Sequence, residues 1–378
     1  MTISDAARNP ATLLSNLVSM DVSGRVGRVR QAMANSECDG LLVTNLVNVR
    51  YLTGFTGSNG VLWLGVDEML LVTDNRYNTQ AEAEVARAGA KATVEITNDS
   101  PQQILAGALG NARRVGLEAA SVSWANKREY AEWFSGCELV PTSGLIEGCR
   151  QIKDEGEISR MTTAARIADA ALAEVLPVFT QAPTEKQVAL HLDAAMRRLG
   201  AETSAFTTIV ASGPNAALPH QRPTDRVIGK GELVIVDMGA VVEGYRSDMT
   251  RTVSVGTPGP QAQKVFETVR DAQRLGVEQV APGKPIAEVD KACRNHIAAA
   301  GWAEAFVHGT GHGVGLDIHE QPWVRAKTTE QLQAGHVITV EPGVYLADRC
   351  GARVEDTVVV TPEGKRVLTN SPKELVVG

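Results

Sequence analysis

The sequence predicts a two-part chain: an α/β N-terminal domain followed by an α+β domain with an antiparallel sheet. Three observations predict it. Short apolar runs alternate with helical patterns through roughly the first 145 residues, the signature of strands interleaved with helices. Near Gly144 to Gly156 the composition changes, as Gly, Glu and Lys replace the apolar runs. Beyond Gly200 segments rich in Val, Ile and Thr and bounded by Gly or Pro dominate, which is the pattern of a strand-built unit. The expected division is residues 1–147, a linker at 148–157, and residues 158–378.

In the first part, DGLLVTN from Asp39, GVLWLG from Gly60 and EMLLVTD from Glu68 read as strands. Thr79 to Ala88 and Gln102 to Leu109 read as helices. From Glu157 to Phe179, Ile158, Met161, Ala165, Ala168, Leu172 and Val175 recur at helical spacing. A second helix starts at Thr184, whose hydroxyl can cap the backbone while Gln187 reaches back, after a Pro183 that suits a helix entry. FTTIVASG, ELVIVDMGAVV, YRSDMTRTVSVG, AGHVITVEPGVYL and ARVEDTVVVT are strands, interrupted by helices at about Ala262–Gln279 and Ile286–Ala299.

Composition narrows the function. A net charge of −7 with no Lys/Arg cluster beyond pairs such as Arg113-Arg114 argues against nucleic acid as a partner. No run approaches the roughly 18 apolar residues that span a bilayer, and the first residues lack the pattern of a secretory signal. Five scattered cysteines, odd in number and without CxxC spacing, suit free thiols in a reducing cytoplasm.

The chemistry lies in two carboxylate-bearing hairpins. Asp237 sits among Val234, Ile235, Val236 and Met238, and Asp248 follows a tight turn at Glu243-Gly244. A two-residue loop pairs positions whose numbers sum to an odd value, so both carboxylates face one side of the sheet. Glu341 and Glu355 flank a loop at Ala347–Gly351; odd loop length places them on one face too, joined by Arg353 through strand alternation. Paired carboxylates on an apolar face repel and lose hydration, and a cation between them is the natural compensation.

Three of the seven histidines, His308, His312 and His319, fall in HGTGHGVGLDIHE, where four glycines exclude a helix and mark a loop lining a site. His220 lies in a Pro-rich loop; His191, His296 and His336 read as ordinary surface or core residues. Four carboxylates and one imidazole, without thiolate, form a hard donor set that suits Mn²⁺, with Co²⁺, Fe²⁺ or Zn²⁺ also possible. Five ligands exceed the needs of one ion and fit two bridged ions roughly 3.5–4 Å apart.

The blocks VIVDMGAVVEGYRSDMTRT, HGTGHGVGLDIHE, TVEPGVY and ARVEDTVVV resemble the signatures of the Xaa-Pro peptidases, which include prolidase and aminopeptidase P among the pita-bread metallopeptidases. RQIKDEGEISRM, NVRYLTGFTGSNG and LVTDNRY extend the resemblance, more softly, over nearly the whole chain. It implies a creatinase/prolidase-like first domain and a pita-bread second domain. It implies Asp237, Asp248, His312, Glu341 and Glu355 as ligands of two divalent metal ions, with Asp248 and Glu355 bridging. Glu341 would also shuttle a proton, His220, His308 and His319 would position substrate and stabilise the tetrahedral intermediate, and Arg353 would organise the site. The implied substrates are short proline-containing peptides and the implied assembly a homodimer. Phe206 and Tyr245 are candidates for packing on the proline ring, and Arg50, Trp63 and Arg76 for closing the cleft behind it. Methionine aminopeptidase, which resembles the second half alone, and a non-catalytic pita-bread binding module are the rival readings; the complete ligand set and the PHQRPT block favour the Xaa-Pro group.

Overall fold

The computed structural model describes residues 14–374 and 376–377. They form two compact units: Ser19–Arg150, and Gln151 onward together with the stretch that ends at Val18. The division therefore falls after Arg150, and Leu14 and Leu17 pack on the core of the second unit rather than the first. The expected linker is largely helical.

The first unit runs α1 (Arg25–Met33), β1 (Gly40–Val43), α2 (Leu46–Thr53), β2 (Val61–Leu64), β3 (Met69–Thr73), α3 (Gln80–Arg87), β4 (Thr93–Ile96), α4 (Gln102–Ala108), β5 (Arg114–Glu118), α5 (Trp124–Trp133), β6 (Glu138–Thr142) and α6 (Leu145–Arg150). Its six strands lie in the order β4-β3-β2-β1-β5-β6. β1 and β2, and β2 and β3, pair antiparallel; the outer strands add in parallel. α2 escapes a reading by composition because Val, Tyr and Thr favour strands, yet its ends are well marked. The Asn45 side chain accepts from Val47 N–H at the N-cap, and Gly54 closes the helix at φ 77°. Trp63, 1% exposed, lies over Gly40, where a Cβ would come 2.2 Å from the indole. Its side chain is filled into this core and cannot line a cleft, and Arg76 is paired with Asp74 at 2.8 Å.

The second unit opens with α7 (Glu155–Val175), entered through a capping box in which Asp154 accepts from Glu157 N–H while the Glu157 side chain accepts from Asp154 N–H. Pro177 ends it before Phe179, and a 3₁₀ stretch continues to Gln181. α8 (Glu185–Arg198) carries the Thr184–Gln187 capping box in both directions. There follow β7 (Ile209–Ser212), β8 (Leu233–Met238), β9 (Val241–Val242), β10 (Tyr245–Arg246), β11 (Met249–Val255), α9 (Pro260–Gln279), α10 (Ile286–Ala299), β12 (Gly311–Gly313), β13 (Glu320–Val324), β14 (Val337–Val340), β15 (Gly343–Leu346), β16 (Cys350–Arg353), β17 (Asp356–Thr361), β18 (Gly364–Val367) and β19 (Val376–Val377).

These make two halves of like construction. β19-β11-β8-β7 form one sheet, whose Val234, Val236 and Met238 pack with the α7 and α8 core. β13-β12-β14-β17-β18 form the other, with Ile338, Val340, Val358 and Val360 packed with α9 and α10. Among the described residues only the β11–β19 pair of this unit is parallel. No described helix is long and apolar enough to cross a membrane.

A buried polar cluster anchors the second half just behind its carboxylate strand. Asp356, 1% exposed, accepts from Arg251 Nη2, Gln273 Nε2 and Thr369 Oγ1 and pairs with Lys373. Arg251 Nε meets Ser371 O, and its Nη1 meets the Glu355 carbonyl. Asp356→Ala would leave the buried Arg251 charge without its carboxylate. The expected loss is about 3–5 kcal/mol in chemical denaturation; a loss below about 1 kcal/mol would show the cluster to be incidental.

Candidate active site

β8 and β11 pair with Thr250 opposite Asp237 and Met249 opposite Met238. The same register runs through β9 and β10, where Val242 faces Tyr245 across the two-residue turn. Glu243 at φ 43° and Gly244 at φ 78° give this turn the left-handed geometry that suits strand twist. Asp248 lies two residues before Thr250, so it shares a face with Asp237. That face is opposite the one formed by Val236 and Met238, which enter the helix-backed core.

In the other half, β15 and β16 pair Gly343 with Arg353 and Leu346 with Cys350, while β14 and β17 pair Val340 with Asp356. Glu341 and Glu355 occupy the break between these ladders at opposed positions. The hairpin loop is 347–349, two residues shorter than expected but still odd, so the shared face is retained. His312 does not lie in a loop: it is the centre of β12, paired with β13 and β14. The flanking glycines are required by neighbouring backbone. A Cβ at Gly311 would come 2.1 Å from Thr339 O, and one at Gly313 would come 2.2 Å from Gln321 O.

The structure gathers His220, Asp237, Asp248, His308, His312, His319, Glu341, Arg353 and Glu355 on the wall of one cavity of about 540 Å³. Phe206, Ile209, Ile318 and Trp323 supply its apolar surface. Tyr245 does not reach it. That residue is 2% exposed and bound through its hydroxyl to Glu157 Oε1 at 3.0 Å, so the expectation that it packs on substrate is corrected.

Ligand atoms of Asp248, His312 and Glu355 lie within 4.8 Å of one another, the spacing of side chains around a single ion. His312 Nδ1 donates to Gly313 O at 3.0 Å, turning Nε2 toward Glu341 Oε1 at 3.2 Å and Asp248 Oδ2 at 3.6 Å. Arg353 Nη2 donates to Asp237 Oδ2 at 2.7 Å, and Thr250 Oγ1 to Glu355 Oε2 at 2.8 Å. The second oxygens, Asp237 Oδ1 and Glu355 Oε1, are buried with no hydrogen-bond partner. Burial first, and then the charges of Glu355, Asp237 and Glu341, push the Asp248 carboxyl well above its ordinary range; burial, Glu341 and Asp237 do the same to Glu355. Orphaned buried oxygens and mutually repelling carboxylates around an all-oxygen/nitrogen set fit divalent cations.

Glu341 behaves differently. Burial opposes its charge, but the hydrogen bond and charge of His312, with His308 and Arg353, hold its carboxyl below the usual range. Thr339 Oγ1 accepts from His312 N–H at 3.1 Å and donates to Glu341 Oε1 at 3.2 Å, fixing both. Burial lowers His308; its Nδ1 donates to Gly309 O and its Nε2 accepts from Tyr345 OH, each at 2.8 Å. The Tyr345 hydroxyl is the donor to His308, because the ring proton is on the Nδ1 that meets Gly309 O; the same hydroxyl accepts from Arg353 Nη1 at 2.9 Å. His308 thus spends both ring nitrogens within the protein.

Thr250, Thr339 and Tyr345 are the functional neighbours that reading by residue type passes over. Strand alternation points to all three: 248 and 250, 339 and 341, 341 and 345 each share a face.

Two helix-backed sheets whose carboxylates converge with an imidazole on one cavity define a metal-dependent hydrolase. Residues 159–362 match the model of metallopeptidase family M24, and residues 25–152 that of the creatinase/prolidase N-terminal domain. A curated Xaa-Pro dipeptidase of Pyrococcus horikoshii is 33% identical over 94% of this chain and 100% of its own. Among solved structures, the Xaa-Pro dipeptidase from Bacillus anthracis superposes with a TM-score of 0.90 at 35% identity, covering 94% of this chain and 99% of that one. The X-Pro aminopeptidase from Thermotoga maritima gives 0.85 at 32%, covering 92% and 100%. The chain belongs to the Xaa-Pro peptidases of metallopeptidase family M24, with their pita-bread fold, a family built on a dinuclear divalent-metal centre.

Proposed function

We propose that this chain is an Xaa-Pro aminopeptidase that also cleaves Xaa-Pro dipeptides, releasing the residue that precedes an N-terminal penultimate proline. The observation that carries the reading is the convergence of four carboxylates and one imidazole, two carboxylate oxygens orphaned, on a cavity with an apolar side. Asp237, Asp248, His312, Glu341 and Glu355 would hold the two metal ions, with Asp248 and Glu355 shared between them. The hard donor set favours Mn²⁺, with Co²⁺, Fe²⁺ and Zn²⁺ as competitors. When bound, such a pair supplies Lewis acidity and a water acidic enough to act as a nucleophile near neutral pH.

The side chains do the rest. Glu341 takes the proton of the attacking water and returns it to the proline nitrogen, which is a tertiary amide nitrogen and must be protonated to leave. His220 and His319 line the cavity and donate to the oxyanion that develops at the scissile carbonyl. His308, with both nitrogens engaged, works through Tyr345 and Arg353 to hold Asp237 in place. Phe206, Ile318 and Trp323 offer the apolar surface for the proline ring. A cytoplasmic location and a homodimer complete the reading, supported by the free thiols and by the family resemblance.

Assays of Xaa-Pro against Xaa-Pro-Xaa peptides with Mn²⁺ test it. Both should be hydrolysed, the tripeptide at least as fast. Cleavage of the dipeptide alone would make the protein a strict prolidase, and cleavage of Met-Xaa peptides that lack proline would overturn the specificity.

A further inference from the structure

We infer that Glu185 is a positioning residue for His220, its carboxylate closing the base of the segment that carries this imidazole. The inference rests on the reading of His220 as an oxyanion donor. Glu185 is the first residue of α8 and is fully buried. Its Oε1 accepts from Ser212 N–H at 2.7 Å and Ser212 Oγ at 2.8 Å; its Oε2 accepts from Thr224 N–H at 3.0 Å and Thr224 Oγ1 at 2.7 Å. Asn215 Nδ2 lies 3.0 Å from both oxygens. Ser212 ends β7 and Thr224 lies beyond His220, so one carboxylate grips the segment where it leaves the sheet and where it returns.

Two further ties lie between. Ala216 O is seated on Gly351, where a Cβ would come within 2.0 Å of it. Pro219 O accepts from Arg353 Nη1 at 3.0 Å, and the same guanidinium holds Asp237. His220 itself is exposed, and its ring has no hydrogen-bond partner among the described residues. Its position is therefore inherited from the backbone beneath it, and that backbone is set by Glu185 at the base and Arg353 at the tip. A displacement of about 1 Å at a group that meets the transition state can cost a hundredfold in rate. Glu185→Gln keeps the shape but turns an NH₂ group toward donors that need an acceptor, so the base of the segment must open.

The test is a double-variant cycle on the full-length, metal-loaded protein: wild type, Glu185→Gln, His220→Ala and both together, with kcat and KM on an Xaa-Pro-Xaa peptide. Glu185→Gln should lower kcat by about 10- to 100-fold, the range for residues that orient a catalytic group. KM should stay within about twofold and metal content should be unchanged. In the His220→Ala background the Glu185→Gln loss should vanish. Losses that multiply in the double variant, or a fall in thermal stability with kcat unchanged, overturn the inference. A fully active His220→Ala overturns the oxyanion reading of His220 instead. If Glu185→Gln does not fold, Thr224→Val, which removes one of the five donor groups, enters the same cycle with the same outcomes.

Discussion

Asp248→Ala is expected to lower kcat/KM on an Xaa-Pro-Xaa peptide at least about a thousandfold in metal-replete buffer, about 4 kcal/mol of transition-state stabilisation. Asp248 lies among Glu355, Asp237 and Glu341, whose charges add to burial in opposing its ionisation. Such a carboxylate is maintained against the interest of the metal-free fold, and only a cation makes its presence favourable. The variant should therefore show opposite effects on two properties. Activity and metal content fall, while the thermal midpoint of the metal-free variant equals or exceeds that of the metal-free wild type. Retention of activity within about tenfold of wild type would remove Asp248 from the ligand set. A metal-free variant less stable than its parent would mean that Asp248 holds the fold rather than an ion.

The second large effect concerns the whole carboxylate cluster. In metal-free protein, thermal stability should decline as pH rises from about 6.5 to about 8. The sign follows from the direction of the shifts. Asp248 and Glu355 have carboxyls raised in the fold, and Asp237 is raised in the same sense. The folded state then binds more protons than the unfolded chain, so the stability present below the ordinary carboxylate pKa is lost as pH climbs through the raised values. His312, raised because Glu341 outweighs the effect of burial, adds to the same slope. Glu341, held low, contributes oppositely only below the ordinary carboxylate range, and His308, His319 and His336, lowered by burial, only below the ordinary imidazole range, so all four lie outside this window. Metal should flatten the slope and add about 2.7 kcal/mol at a free concentration one hundred times Kd. A midpoint that rises with pH in the metal-free protein would contradict the electrostatic account.

Much of this site is legible in residue order because its geometry is periodic. Strand alternation places Asp237 with Asp248 and Glu341 with Glu355, and parity survives an error in loop length so long as the error is even. The Ala347–Gly351 loop, which proves to be 347–349, is such a case. Helix ends with side-chain caps are equally plain, as Thr184 and Gln187 show. What sequence patterns leave hidden depends on long-range approach. The glycines around His312 read as a loop, yet they allow a strand to lie against the backbone of Thr339 and Gln321, partners that no local pattern names. Tyr245 reads as a candidate for packing on the proline ring. Strand alternation sets it three residues from Asp248, on the opposite face, where its hydroxyl meets the Glu157 carboxylate. Arg251 gave no sign that it would join Glu355 O to Asp356 across the two halves.

On the proposed reading, hydrolysis depends on two divalent ions held by five side chains of one cavity. Titration of metal-stripped protein with Mn²⁺, following bound metal and Xaa-Pro hydrolysis together, tests it most directly. Activity should be negligible without metal and full when two ions per chain are bound; Glu355→Ala should reach neither two-ion binding nor full activity. Full hydrolysis by the stripped protein, or unchanged metal binding in Glu355→Ala, would contradict it.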